Sequence, residues 1–160
     1  MEERIQIVSL ILIVFLILLP KEILSLSVKV TGSWSETIDN MDLQGGAGSD
    51  LINSYESVSN VCDIDITGIP KDNWRLDVSK VDIQWHPNFH LYVKRTSDGT
   101  NGGSLLGGTT YQEITDVYKT FFSGSDNVRN ITIQYQLTGV SIQIPPNIYS
   151  TTIYYTVTKN

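Results

Sequence analysis

The sequence predicts an all-β protein: an immunoglobulin-like antiparallel β-sandwich preceded by an N-terminal signal peptide helix. Three observations carry this. From Val28 onward, β-branched and aromatic residues recur at period two in short runs, the pattern of strands with one buried face. Clusters of Gly, Pro, Asn and Asp cut these runs at short intervals, as in all-β domains. Ahead of them, residues 5–19 are almost wholly apolar and end at Pro20. A run of about 15 residues falls short of the roughly 20 that span a bilayer.

Ser25 and Ser27 stand two apart, as small residues do at a signal-peptidase site. The expectation is therefore a signal peptide at 1–27, or an N-terminal anchor if it stays uncleaved, and a single β-sandwich domain at 28–160. Met1-Glu2-Glu3-Arg4 departs from the pattern, because it has no clear positive excess. Either outcome places the domain outside the cytoplasm, extracellular or at the cell surface.

The elements follow in order. Residues 28–34 form a first strand with Val28, Val30 and Trp34 on its apolar parity. Residues 35–53 lack periodicity and hold Gly45-Gly46-Ala47-Gly48, so they read as a long loop with at most a short strand near 41–43. Residues 55–69 read as one strand ended by Pro70. In 74–85, Trp74, Leu76 and Val78 share one parity and Val81, Ile83 and Trp85 the other. That change of face calls for a β-bulge or a bend near Ser79-Lys80. Residues 89–94 alternate again, and 97–103 and Gly107-Gly108 punctuate the chain. Residues 111–122 carry helical and strand signals together and are read as a strand with an irregular step. Residues 130–144 change register around Thr138-Gly139.

The last strand is the clearest. Pro145-Pro146 bars a helix or central strand, and Asn147 tolerates the left-handed conformation of a tight turn. Tyr149, Thr151, Ile153, Tyr155 and Val157 then share one face, with Ser150, Thr152, Tyr154 and Thr156 on the other. Tyr149 is placed to pack its ring inward and return its hydroxyl to the turn, the logic of a tyrosine corner. This stretch resembles the C-terminal strand of secreted bacterial fimbrial-subunit and spore-coat-U-like β-sandwiches, where a Pro-x-Gly-x-Tyr turn leads into a closing run of Thr, Val and Ile. Asn147 stands where that family has glycine. The cysteine pair frequent there is absent, since the chain has 1 Cys.

Composition narrows the function. A net charge of −6 with a pI near 4.7 argues against nucleic acid, which demands clustered Lys and Arg. Cys62 alone makes no internal disulfide and reads as a buried thiol. His86 and His90 are four apart, but Pro87 breaks the helix that would join them at a metal. Asp63, Asp65, Asp77 and Asp82 read as a solvated sheet face. Asp39, Asp42 and Asp50 beside one glycine-rich loop, and Asp98 and Asn101 in another, leave calcium an open question. Asn130-Ile131-Thr132 is a glycosylation sequon at a strand start. No catalytic elbow or phosphate loop occurs, so no enzyme and no cofactor are expected.

Trp74 and Trp85 lie on core parities, with Tyr149 and Asn147 as turn-forming structural residues. Tyr92 and Tyr154 lie on outward parities and are candidate sugar-binding residues. The expectation is a non-enzymatic secreted or cell-surface structural or adhesive protein, assembling through sheet edges with copies of itself or other surface proteins. A carbohydrate-binding module is the alternative. Val28, Val30 and Trp34, on a terminal strand followed by a long tether, are candidates for strand exchange between subunits.

Overall fold

The computed structural model describes residues 25–68 and 71–160. The apolar segment and the signal-peptide helix read from it lie outside the described residues. The described chain is all-β: ten strands and one short 3-10 turn at Asn40–Asp42. The strands are β1 (Ser27–Gly32), β2 (Ser54–Glu56), β3 (Cys62–Thr67), β4 (Asn73–Gln84), β5 (His90–Arg95), β6 (Leu105–Leu106), β7 (Gln112–Glu113), β8 (Lys119–Ser125), β9 (Val128–Thr138) and β10 (Ser150–Lys159).

Two antiparallel sheets result. The first runs β1-β3-β9-β5-β7, with β2 also paired to β9, and the second runs β10-β4-β8-β6. Their apolar faces share one core. Ile64, Ile66, Leu91, Val93, Ile131 and Ile133 come from the first sheet, and Trp74, Leu76, Val78 and Phe122 from the second. The alternation read from 62–66 and from Tyr149 to Val157 appears as alternating burial in β3 and β10.

Several expectations need correction. Residues 55–69 are not one strand: β2 and β3 are separated by a turn at 57–61, where Ser57 N and Oγ bond to Tyr135. The interruption was hidden because Tyr55 and Val61 sustain the apolar pattern across it. Residues 111–122 divide between β7 and β8. The irregular step lies at Phe121, where the β4 register shifts between Leu76 and Asp77. That bulge turns two consecutive residues, Phe121 and Phe122, into the core. Residues 139–144 are not strand either. β9 ends at Thr138, and Gly139 (φ +83°) lies so close to the Asn88 carbonyl that a Cβ would collide with it.

The expected face change in β4 does not occur. β4 holds its phase against β10 through Ser79, Lys80 and Val81. Lys80 and Asp82 continue the parity of Trp74, Leu76 and Val78, and Lys80 is buried. Its ammonium meets both Asp82 carboxylate oxygens at 2.5 and 2.6 Å and lies 5.1 Å from the Trp85 ring centre. An ion pair and a cation–π contact thus fill a position that an apolar pair would be expected to claim. Val81 and Ile83 are left on the outer face, 55% and 72% exposed. Trp85 is partly buried against the core and donates Nε1–H to Phe89 O at 3.1 Å.

Candidate functional site

Two features stand out for function: an open sheet side, and the side chains that the outer faces carry. β1 ends the first sheet and β10 ends the second, and the two edges lie next to each other along one side of the molecule. β10 pairs with β4 over its whole length, with one register shift between Ser150 and Thr151. From Ser150 to Thr158 it carries no charged side chain. Its inner residues Ile153, Tyr155 and Val157 pack on the core. Tyr154 points outward, 46% exposed, and Thr152 beside it pairs with Val81. An unpaired strand edge therefore adjoins exposed Val81, Ile83 and Tyr154.

The entry to β10 is built by an aromatic cluster. The Tyr149 ring meets Phe89 edge-on with centroids 5.0 Å apart, and His86 at 6.2 Å. Its hydroxyl donates to Pro145 O at 2.8 Å. Asn147 is not left-handed; its Oδ1 instead accepts from Ile148 N at 2.8 Å, an Asx interaction that serves the turn through the side chain. The positive-φ residues other than glycine are Lys71, Asn101, Asp126 and Asn130 among the described residues. At Asn130 the β3–β9 register shifts, and Asp65 Oδ1 accepts Asn130 N.

β1 pairs with β3 of its own chain in unbroken register, Val28 opposite Ile66 and Val30 opposite Ile64. Val28 packs against the core while Val30 is 39% exposed. Trp34 lies just past the strand and stacks on Tyr135 at 6.4 Å and 10°. The loop after it is not a free tether. Asp39 and Asp42 close a capping box around the 3-10 turn. Leu43 bridges to Leu51, and Asp50 accepts from Ile142 N and Ser141 Oγ. The Ile142 amide most of all, and then the Leu51 amide, hold the Asp50 carboxyl below its ordinary range. Asp39 and Asp42 bond to the backbone of their own turn and Asp50 to residues 141–142, so the three do not present a common set of free oxygens.

A buried polar chain joins the sheets under the open side. Tyr135 and Tyr155 share a hydroxyl hydrogen bond at 3.0 Å. Burial pushes both phenols above their ordinary range. It likewise pushes up the Cys62 thiol, which interacts with Tyr135. Cys62 is free and buried, a core position that disfavours the reactive thiolate.

Tyr92 and Tyr154 do not come together: Tyr92 is on the outer face of the first sheet and Tyr154 on that of the second. His86 and His90 also part, the former into the Tyr149 cluster and the latter to Glu113 Oε1 at 2.7 Å. Trp74 is fully buried, bonded through Nε1 to Asp126 O at 2.8 Å. Sequence reasoning missed Arg95, whose guanidinium bonds to Gly107 O and Ser97 O and pairs with Asp98 while lying over the Phe122 ring. Its position on the apolar parity of Leu91 and Val93 was the available signal.

Among the described residues, no helix is long and apolar enough to cross a membrane, and no group of three or more His, Cys, Asp or Glu is placed to hold a metal ion. Comparison with protein-family models, curated proteins and solved structures finds no match.

Proposed function

We propose that this chain is a non-enzymatic structural or adhesive protein of the cell surface, an immunoglobulin-like β-sandwich that associates through its open side. The observation that carries the reading is β10, a ten-residue edge strand without a charge from Ser150 to Thr158. Proteins that must stay apart blunt such edges with lysine, proline, bulges or very short strands. β10 has Lys159 only at its end and its bulge only at its start. In a chain of net charge −6, this edge lets two copies meet without like-charge repulsion.

Export is supported by the apolar run at 5–19 and the Ser25/Ser27 spacing. The resemblance of Pro145 to Val157 to fimbrial and spore-coat-U-like closing strands supports an assembled surface role. Light scattering across a concentration series tests the reading. Association of the unaltered protein that Thr152→Lys with Thr156→Lys abolishes, at unchanged melting temperature, is the expected result. A monomer at every accessible concentration overturns it.

A further inference from the structure

The outer face of the first sheet carries a different surface, independent of the open side. Strand registers place Glu56 opposite Gln136, Gln136 opposite Tyr92, and Tyr92 opposite Glu113. These four outward side chains form one row across β2, β9, β5 and β7. At about 4.8 Å per strand spacing the row is roughly 14 Å long. The next row adds Gln134 opposite Lys94.

The row is held in place by its own contacts. Glu56 Oε1 accepts from Gln136 Nε2 at 3.1 Å, and Glu56 Oε2 from Gln134 Nε2 at 3.4 Å. Gln134 Nε2 also donates to Ser57 O at 2.7 Å. Lys94 Nζ lies 4.3 Å from the ring centre of Tyr111. Glu113 is tied to His90 and stays 41% exposed. After these bonds, both glutamines retain their carbonyl oxygens and Gln136 retains an N–H.

We propose that this row binds a neutral oligosaccharide, with Tyr92 as the stacking platform and Gln136, Glu56 and Glu113 as its hydrogen-bonding flanks. Sugar hydroxyls donate and accept at once; a planar amide answers both needs through its oxygen and its N–H groups, and a carboxylate adds two acceptor oxygens side by side. A phenol ring supplies an apolar plane with a polar tip for the C–H face of a pyranose. Along these two rows there is no cationic surplus to attract an anion, since Glu56 and Glu113 stand beside a single lysine, Lys94. A purely apolar ligand would strip water from the amides and carboxylates without replacing its hydrogen bonds.

Titration calorimetry with cellohexaose, xylohexaose, mannohexaose and N-acetylchitohexaose tests this. At least one is expected to bind, with affinity reduced about tenfold or more by Tyr92→Ala or Gln136→Ala, a loss of about 1.4 kcal/mol. Tyr154→Ala, on the other sheet, is expected to leave binding unchanged. Chemical shifts of the Gln134 and Gln136 side-chain amides in the unaltered protein are expected to move on titration, which decides the matter should a variant fail to fold. Absence of binding to all four sugars, binding that survives both substitutions, or unmoved glutamine amides overturns the proposal.

Discussion

The two sides of the molecule treat their sheet edges in opposite ways. On one side the sheets end in β6 and β7, two residues each. Between β5 and β7 the chain passes through Gly99, Gly102, Gly103, Gly107 and Gly108, and the buried Arg95 guanidinium gathers the Ser97 and Gly107 carbonyls. On the other side the sheets end in β1 and β10, six and ten residues long. On the short side each terminal strand offers only two residues of its own to template another strand. The long side leaves a row of unpaired backbone. The difference indicates that edge protection was achieved where the chain invested glycines and a buried charge, and that β10 was left outside that protection.

The largest expected effect tests what holds the blunted side. Arg95→Met removes the donors to Gly107 O and Ser97 O and the pairing with Asp98, and is expected to cost about 3 kcal/mol by losing hydrogen bonds from a charged donor. Denaturant midpoints measure it, and a loss below about 1 kcal/mol would mean the glycine-rich segment is held by something else. Arg95→Lys is not expected to rescue it, because an ammonium lacks the planar fork.

The next effect tests the open side from beneath. Tyr155 on β10 and Tyr135 on β9 share a hydrogen bond, and burial raises both phenols above the unperturbed value of about 10. A raised folded-state value favours the neutral phenol in the folded protein. Its stabilisation is complete below about pH 10 and is lost as pH rises through the folded-state values. Stability is therefore expected to fall from about pH 10 upward, with Tyr55 and Tyr111, both pushed up to about 12 mainly by burial, contributing in the same window. Thermal melts from neutral to alkaline pH check this. A slope unchanged by Tyr155→Phe would remove the pair from the account.

A smaller effect concerns the entry to β10. Tyr149→Phe loses the bond to Pro145 O and is expected to cost on the order of 1 kcal/mol. Tyr154→Phe, on the outer face, is expected to cost a few tenths at most. Equal denaturant midpoints for the two would show that the turn does not depend on the phenol. The smallest effect belongs to Leu106 on β6, which is 76% exposed. Leu106→Ser is expected to change stability by less than about 0.5 kcal/mol, and a larger loss would show that this short strand carries more of the fold than its length implies.

The all-β class and the course of β10 were legible in the sequence because every residue from Thr151 to Thr158 is β-branched or aromatic. β4 was not, because the rule that apolar residues point inward fails at Val81 and Ile83. Lys80 satisfies its charge on Asp82 and Trp85, a local arrangement that periodicity does not encode. The same blindness hid Arg95, a buried cation on an apolar parity. The loop at 39–53 has no period to read, since its order comes from carboxylate-to-backbone bonds and from contacts with residues 139–142. The row from Glu56 to Glu113 was legible only in part. Tyr92 could be placed outward from alternation in β5, whereas its neighbours depend on strand registers across four strands.

Amide hydrogen exchange of the unaltered protein at low and high concentration tests the claim of an open side most directly. Pairing of the β10 edge with a second copy protects backbone amides that face away from β4. The account predicts that protection within 150–158 rises with concentration while that of β6 and β7 stays constant. Protection that is independent of concentration in β10, or that rises first at β6 and β7, would contradict it.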